Sequence, residues 1–324
     1  MRAAGVRHLG DAVEVFDLPD PRGLRAGEIL LEVRAAGVGN WDEFIRTGSW
    51  DTGPRPPMAL GVAAAGYVTA TGSPDGGGGD GGGGDDGFGA GDRVTTHSVP
   101  LPEQGCWAEW LIVPVEHCAI LPHGVSFDIG AALAVPALTA DQVVTEALLT
   151  GPGQTVLVHG AGGVTGGMLV QLAAYRGATV IAAAGPGSAE RIKARGAAHV
   201  LDYHQPGWPG QVRLLTGGGV DAAANAALSG AADAVQAVRD GGRLATITVG
   251  LPAAQRAITM LYVQVMPDGR RLGELARLAA EGVLTVAAVT PYPLDQAAAA
   301  LAQARHGAHG AAVVLRPDRD EDGA

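Results

Sequence analysis

The sequence predicts an α/β protein whose central part forms a doubly wound parallel sheet and whose N-terminal part is rich in strands and turns. Three observations support this fold class. Residues 155–158 form an apolar, strand-like run that leads without a spacer into a glycine-rich turn and then into a helical pattern. Strand-like and helix-like segments continue to alternate as far as residue 249. Before residue 120, short strand patterns alternate with turns instead.

Length and composition restrict the possible classes of protein. A chain of 324 residues favours two domains over one core. Hydrophobic content of 47%, with no apolar run of about 18 residues, predicts a soluble protein without a membrane span. The first residues carry charges, so no signal peptide is expected. Cys106 and Cys118 are too few for a disulfide framework, which favours the cytoplasm, and the net charge of −11 argues against nucleic acid or an anionic membrane as partner.

The N-terminal part begins with a strand-pair pattern over residues 1–17 and a strong strand pattern over residues 28–35. A glycine turn follows, A-A-G-V-G-N-W-D-E-F-I-R-T-G-S-W, in which Trp41, Phe44 and Trp50 lie close together. Two interpretations have similar weight. The segment is either a loop over a hydrophobic core or the aromatic wall of a substrate pocket, and an apolar flat ligand would allow both.

Residues 60–71 and the segments G-D-R-V-T-T and G-C-W-A-E-W-L-I-V predict further strands. Between them, 12 of the 20 residues from 72 to 91 are glycine, interrupted by aspartate. Such a composition cannot bury enough surface to offset its conformational entropy, so residues 72–91 are expected to form a flexible Gly/Asp-rich loop without chemistry. Residues 126–149 predict a helix that is broken at Pro136.

The glycine-rich turn, T-V-L-V-H-G-A-G-G-V-T-G-G, predicts a dinucleotide site. Small residues let the backbone approach a diphosphate, whose charge is met by N–H groups and by the positive end of the helix dipole. The apolar positions 164, 168, 172 and 175 are expected to share one face of the following helix. Glycine is frequent in this chain, so the motif carries weight only through the alternation around it. The candidate cofactor contacts here are Gly162, Gly163, Val164, Thr165 and Gly166.

Beyond this turn, strands are predicted over residues 179–184, 199–203, 220–224 and 243–249, with helices over residues 188–195 and 231–238. The C-terminal part predicts a strand at 256–265, a helix at 271–281 closed by Gly282, and a strand at 286–289. An Ala-rich helix from Leu294, a strand at 311–315 and a frayed charged tail at 318–324 complete the chain.

Several motifs follow one another in a characteristic order along nearly the whole chain: G-V-G-N-W-D-E-F-I-R-T-G, G-D-R-V, G-C-W-A-E-W, A-L-T-A, V-L-V-H-G-A-G-G-V-T-G, G-A-A-H-V-L-D-Y and G-G-R-L. In this order they resemble the medium-chain dehydrogenase/reductase superfamily, in its zinc-free quinone oxidoreductase (zeta-crystallin-like) or enoyl reductase branch. The resemblance implies a GroES-like domain, residues 1–121 and 268–324, with a Rossmann NADPH-binding domain, residues 122–267, inserted between them. It also implies a homodimer, for which residues 257–265 could supply a sheet edge if they are not an internal strand.

The resemblance also addresses zinc. A catalytic zinc needs Cys and His ligands. The turn that would supply the Cys reads G-V-G-N, and the segment that reads G-H-E in zinc relatives is Gly61, Val62 and Ala63. Two cysteines cannot form a four-cysteine structural site. The histidines are scattered, with His159 expected in the core or near the cofactor and His306 and His309 on a late turn, so no metal is expected.

The second predicted strand of the central part ends in Ala184 and Gly185, where NAD-specific folds commonly carry an acid that binds the ribose hydroxyls. Without this carboxylate, NADPH is favoured as cofactor. Ser188, Arg191 and Tyr203 are the candidates to hold its 2'-phosphate, and Tyr203 falls on a cofactor-contact position of the family. Arg191 as a solvated helix charge is an equal alternative. Two further candidate cofactor contacts are Val249 and Gly250.

The chemistry implied is reduction of a conjugated carbonyl. Without a metal, a simple carbonyl has no Lewis acid, whereas an enone or quinone accepts hydride and spreads the charge over several atoms. The candidate catalytic contacts are Asn40 and Thr139, with solvent or Tyr262 as proton source. The pocket walls would be Trp41, Phe44 and Trp50, joined by Tyr262. The usual family G-V-N is Gly37–Val38–Gly39–Asn40 here, so the amide near the nicotinamide is either absent or displaced by one residue.

Enone and quinone reduction are not separated by these residues, and the tailoring of aromatic polyketides is the form of enone reduction to test first. Two other functions stay open. One is an NADPH-binding protein with little or no turnover, which the altered G-V-G-N turn would explain. The other is a non-redox lyase or cyclase on the same scaffold.

Overall fold

A computed structural model describes residues 1–72, 87–307 and 310–317 of the chain. Most of the predicted Gly/Asp-rich loop lies outside the described residues, as do His309 and the predicted frayed tail. The described residues contain sixteen strands. They are β1 Arg2–Val6, β2 Glu14–Asp17, β3 Glu28–Val38, β4 Met58–Ala59, β5 Ala63–Thr71, β6 Arg93–His97, β7 Trp110–Pro114, β8 Cys118–Ile120, β9 Thr155–His159, β10 Thr179–Ala183, β11 Ala197–Leu201, β12 Val220–Asn225, β13 Val238–Thr246, β14 Thr259–Tyr262, β15 Val289–Pro293 and β16 Ala312–Arg316.

The α-helices follow the same chain order. They are α1 Asp42–Thr47, α2 Phe127–Gln142, α3 Val164–Tyr175, α4 Ala189–Ala194, α5 Trp208–Thr216, α6 Ala231–Ala237, α7 Gly269–Ala280 and α8 Ala297–His306.

The chain divides into two compact units. The first consists of Met1–Val135, Met266–Gly282 and Ala288–Ala324, and the second of Pro136–Val265 and Val283–Ala287. The sequence placed the two divisions at residues 121 and 268. The contacts place the first division between Val135 and Pro136. This division lies within α2, which continues past Val135 without interruption.

The second unit is built on a six-stranded parallel sheet in the order β11-β10-β9-β12-β13-β14. Counted from β9, this is the doubly wound order 3-2-1-4-5-6 of dinucleotide-binding folds. The central strands β9, β10 and β12 are largely buried, and Leu157, Ile181 and Ala223 lie in one apolar cluster with α5 and α6. The predicted fold class is therefore confirmed for this unit.

The first unit contains two sheets. One follows the path β15-β16-β3-β5-β6-β8, with β7 paired to β3, and the other has the order β2-β1-β4. Most of these pairs are antiparallel, whereas β15 and β16 are parallel. Trp107 is fully buried in this unit and donates its indole N–H to the Gly37 carbonyl at 3.0 Å. This β-rich architecture agrees with the expected GroES-like domain.

Several local predictions were wrong for identifiable reasons. Pro136 does not break α2, because the burial of its neighbours outweighs the local cost of a missing N–H; the helix only changes to a π turn at Val143–Ala147. The aromatic turn after β3 contains the short helix α1 rather than a loop. Tyr175 is 61% exposed, so the four apolar positions of α3 do not share a buried face.

The strand predicted at residues 286–289 begins only at Val289. It contains Pro291 and Pro293, and among the described strands it pairs with β16 alone. An edge position suits prolines because they have no N–H to donate to a second neighbour.

Candidate functional site

The glycine turn joins β9 to α3, and it contacts the end of β10 and the residues after β12. The N–H groups of Gly160 and Ala161 donate to the Ala183 carbonyl at 3.1 and 3.3 Å, which ties the turn to the end of β10. Gly160 has a positive φ of 81°. A Cβ on Gly160 would lie 2.8 Å from the carbonyl carbon of Ala226. Only glycine fits at this position.

The turn also approaches its neighbours too closely for side chains at two further positions. A Cβ on Gly166 would lie 2.1 Å from the Gly160 carbonyl oxygen, and one on Gly162 would lie 2.7 Å from Ser188 Oγ. At Gly163 the nearest atom would be 3.5 Å away, which is an ordinary contact. The first turn of α3 thus packs directly on the backbone of the glycine turn.

The N-terminus of α3 can receive an anion. Gly163 takes the N-cap position in an extended conformation, and among the described residues no side chain caps the helix there. The N–H groups of the first helical turn, Val164, Thr165 and Gly166, project from the helix end together with the positive end of its dipole. A diphosphate fits this arrangement because small residues leave the backbone accessible.

Ser188 and Arg191 lie beside the glycine turn, whereas Tyr203 lies further along the same edge of the sheet. Ser188 donates its hydroxyl to the Gly185 carbonyl at 3.0 Å. Half-buried Arg191 donates Nη2–H to the Gly162 carbonyl at 3.0 Å, so it contacts the turn instead of standing free in solvent. Tyr203 is 43% exposed, and its ring centroid is 5.9 Å from that of His159.

A carboxylate also lies at this edge, which sequence reasoning missed. The absence of an acid at the end of β10 was correctly read from Ala184 and Gly185, but the neighbouring strand β11 is followed by Asp202. The Ala184 N–H donates to the Leu201 carbonyl at 3.0 Å, so the ends of the two strands lie side by side. Asp202 could have been found by considering the strand next to β10 in the doubly wound order.

Polar side chains end three neighbouring strands of the same sheet: His159, Asn225 and Thr246 are register partners across β9, β12 and β13. His159 is 4% exposed, its Nδ1 lies 3.2 Å from the Gly230 carbonyl oxygen, and burial lowers its pKa, which keeps the ring neutral. The Asn225 amide nitrogen lies 3.0 Å from the hydroxyls of Thr246 and Thr248. Sequence reasoning missed Asn225 and Thr246, although a polar residue that ends an apolar strand is a usable signal.

The loop after β13 and the end of β14 are open to solvent. Val249 is 69% exposed and Gly250 has a φ of 100°, while Tyr262 is 50% exposed and pairs in register with Thr246. The structure therefore brings Tyr262 close to the end of β13. Thr139 belongs to the same unit, where it lies in α2 and is 7% exposed.

Asn40, Trp41, Phe44 and Trp50 all belong to the first unit, at and after the end of β3. Asn40 is exposed, Trp41 and Trp50 are half-buried, and Phe44 is 46% exposed. The Trp50 backbone N–H donates to the Phe44 carbonyl at 3.0 Å. The segment therefore combines buried Asp42 and Ile45 with partly accessible aromatic rings, which is compatible with both interpretations.

A buried carboxyl group holds this turn together. Asp42 is fully buried, and its Oδ2 accepts the Gly39 N–H at 2.8 Å, while the Asp42 N–H donates to the Gly39 carbonyl at 3.2 Å. The reciprocal pair resembles a capping box and encloses Asn40 and Trp41. Burial raises the pKa of Asp42 to about 8, against a smaller lowering by the Gly39 N–H. Sequence reasoning missed Asp42 because its burial is not visible in a pattern.

The turn G-V-G-N and the segment Gly61–Val62–Ala63 contain no Cys, His, Asp or Glu side chain. The His97 ring places Nδ1 2.9 Å from the Val62 carbonyl oxygen. Within residues 1–72, 87–307 and 310–317, no three His, Cys, Asp or Glu side chains are grouped so that they could bind a metal ion.

Within the part of the chain that the structure describes, one helical segment is long and apolar enough to cross a membrane, namely Phe127–Ala147, which comprises α2 and the π turn. Its most apolar window is 78% buried inside the protein, as in the core helix of a soluble fold.

Two family models match the chain. A model of the alcohol dehydrogenase GroES-like domain matches residues 25–123, and a model of a zinc-binding dehydrogenase domain matches residues 195–315. The matched ranges correspond to the strand-rich first unit and to the later part of the parallel sheet with the C-terminal elements.

Curated relatives agree with these models. The synaptic vesicle membrane protein VAT-1 homolog of Mus musculus is 33% identical over 60% of this chain and 45% of that protein. The quinone oxidoreductase of Lama guanicoe is 31% identical over 55% of this chain and 50% of that protein. The chain thus spans about half the length of the curated relatives it matches.

Solved structures match over the full chain. A NAD-dependent alcohol dehydrogenase superimposes with a TM-score of 0.82 at 28% identity, covering 98% of this chain and all of that one. A mycobacterial protein solved in complex with NADPH also reaches 0.82, at 27% identity and 98% coverage of this chain, again with that chain fully covered. With the two domain models and the quinone oxidoreductase relatives, these matches show that the chain belongs to the medium-chain dehydrogenase/reductase superfamily.

Proposed function

We propose that this protein is an NADPH-dependent, metal-independent reductase that transfers hydride to the conjugated C=C of an enone or to a quinone. The observation that carries the proposal is the glycine turn, whose close packing against Ala226 and the first turn of α3 leaves an accessible helix N-terminus suited to a diphosphate. The nicotinamide dinucleotide supplies the hydride when it is bound there. The quinone oxidoreductase relatives support the class of substrate.

The choice of NADPH rests on the residues that lie beside this turn, at the carboxyl ends of the strands. Strand β10 ends without an acid, and Ser188, Arg191 and Tyr203 offer two hydroxyls and a guanidinium. In this proposal these groups face the 2'-phosphate, while Val249 and Gly250 line the path of the dinucleotide further along the edge. A mycobacterial relative of known structure was solved with NADPH.

The remaining residues would act on the substrate. Asn40 and Thr139 would donate hydrogen bonds to the carbonyl oxygen, where negative charge develops as the hydride arrives. Trp41, Phe44 and Trp50 would hold a flat apolar substrate, which suits their accessible rings. The proton would come from solvent or from Tyr262.

The direct test is consumption of NADPH by the purified protein with a panel of 1,4-quinones and α,β-unsaturated ketones, including polycyclic aromatic enones of the polyketide type. We expect NADPH to be oxidised with at least one acceptor. The oxidation is monitored by the loss of NADPH absorbance. Tight NADPH binding without oxidation by any acceptor would instead favour a binding protein with little turnover. Product formed without NADPH consumption would favour a lyase or cyclase.

Metal removal should leave the activity unchanged. Gly39 and Val62 offer no side-chain ligand, and a Lewis acid is not needed for hydride addition to a conjugated system. We expect dialysis against a strong zinc chelator to leave kcat and KM as they were, with elemental analysis showing zinc far below one ion per chain. Loss of activity on chelation that zinc restores would contradict the metal-independent mechanism.

We also propose an assembly and a location for this protein. Strand β14 lies at the edge of the parallel sheet and pairs with β13 alone among the described strands, so it could extend the sheet into a second copy. We propose a cytoplasmic homodimer without a nucleic-acid or membrane partner. Light scattering of the purified protein tests the dimer.

A further inference from the structure

A carboxylate and an imidazole form a pair where β11 ends. The His204 ring places Nδ1 2.6 Å from Asp202 Oδ1, and the His204 backbone N–H donates to the same oxygen at 3.0 Å. These two donors, the backbone one first, lower the pKa of Asp202 and keep the carboxylate ionised. The Asp202 side chain is 28% exposed and the His204 ring is 57% exposed, so the imidazole partly covers the carboxylate.

This pair lies close to the residues that flank the glycine turn. The His204 ring packs on Tyr203 with centroids 4.1 Å apart, and a Cβ added to Gly185 would lie 3.4 Å from His204 Cε1. The Gly185 carbonyl accepts the Ser188 hydroxyl, and a Cβ added to Gly162 would lie 2.7 Å from that hydroxyl oxygen. His204, Gly185, Ser188 and Gly162 therefore follow one another along the carboxyl end of the sheet.

The charged groups at this end of the sheet would favour different cofactors. A bare carboxylate accepts hydrogen bonds from ribose hydroxyls and repels a 2'-phosphate. In this chain the end of β10 has no acid, but β11 places Asp202 beside it. His204 is the group that occupies Asp202 Oδ1 and stands on the side of Gly185. Further polar groups at this end of the sheet are the Arg191 guanidinium, the Ser188 and Tyr203 hydroxyls, and Gln205, which also hydrogen-bonds Asp202.

We propose that the Asp202–His204 pair selects between NADPH and NADH, with the His204 ring occupying Asp202 Oδ1 so that the 2'-phosphate is accepted. The inference rests on the proposed binding of a nicotinamide dinucleotide at the glycine turn. If the imidazole is removed, Asp202 is more exposed and repels the 2'-phosphate of NADPH. NADH should bind no more weakly, because its 2'-hydroxyl carries no charge and can donate a hydrogen bond to the carboxylate.

Binding measurements on four proteins test this pair: the wild type, His204→Ala, Asp202→Asn and the double variant. Dissociation constants for NADPH and NADH are measured by calorimetry, without any substrate. We expect His204→Ala to weaken NADPH binding about tenfold and to leave NADH binding within about threefold. The double variant should recover most of the NADPH affinity, because the repelling charge is gone. His199→Ala is the control. This exposed histidine lies within β11, before the carboxyl end of the strand where Asp202 and His204 are located.

Two results would overturn the inference. One is a ratio of the two dissociation constants in His204→Ala that stays within about twofold of the wild-type ratio. The other is a double variant that binds NADPH as weakly as His204→Ala, which would mean that Asp202 exerts no repulsion. If the wild type binds neither cofactor, the proposed function itself fails. Circular dichroism of each variant checks that the fold is retained.

Discussion

Replacing Gly166 by alanine is expected to abolish tight cofactor binding and to destabilise the protein. The new Cβ would lie 2.1 Å from the Gly160 carbonyl oxygen and 2.8 Å from the Ala161 Cα. Both are backbone atoms, so no side chain can rotate away, and α3 has to move from β9. Overpacking of this kind costs about 3 kcal/mol of unfolding free energy. Urea unfolding monitored by fluorescence, together with calorimetric NADPH titration, measures both effects.

Gly210→Ala is the matched control. Gly210 lies in the first turn of α5, is exposed, and an added Cβ would meet nothing within 4 Å. Because alanine has the higher helix propensity, this variant should be up to about 1 kcal/mol more stable than the wild type. NADPH binding should be unchanged. Equal urea midpoints for Gly166→Ala and the wild type would contradict the close packing of the glycine turn.

Asp42→Asn is expected to make the protein more stable at high pH. The pKa of Asp42 is raised from 3.8 to about 8, mainly by burial. The folded state therefore binds this proton more tightly than the unfolded state, and its contribution is fully present below pH 4 and lost as pH rises to about 8. Asparagine keeps an acceptor for the Gly39 N–H and cannot ionise. At pH 9 the variant should exceed the wild type by several kcal/mol, with an upper bound of about 6 kcal/mol.

Urea unfolding of both proteins at pH 5, 7 and 9 gives the two stability profiles. At pH 5 the difference should be smallest, since the wild-type carboxyl is still largely protonated in the folded state. Asp51→Asn serves as the control because Asp51 is exposed and its pKa is lowered to about 2 by Arg55 and the Gly53 N–H. That variant should not gain stability as pH rises. Parallel pH profiles for Asp42→Asn and the wild type would exclude a neutral, buried Asp42.

The parallel sheet and its turn could be predicted from local patterns. The run 155–158 and the glycines after it are adjacent in sequence, and apolar periodicity with tight turns depends on neighbouring residues. The alternation of strands and helices then led to the doubly wound order. Predictions failed where burial overrides local preference, as at Pro136 within α2 and at Tyr175, whose ring faces solvent.

The candidate site was predictable only in part. Gly162, Ser188 and Arg191 could be proposed from the sequence because a motif, or a fixed distance from it, points to them. Asn225 and Asp202 were not found, because each follows a strand whose neighbours in the sheet are distant in the sequence. The groups that lie next to Asn225 and Asp202 become known only when the strand order places the ends of neighbouring strands side by side.

The sequence by itself determined the fold class, the glycine turn and the resemblance to a dehydrogenase superfamily, since these depend on residue order and backbone requirements. The tertiary structure decided the state of Asp42 and the covering of Asp202 by His204 beside Gly185. The physical reason is that desolvation and electrostatic neutralisation depend on all atoms surrounding a charge. Those atoms come from segments that only folding brings together.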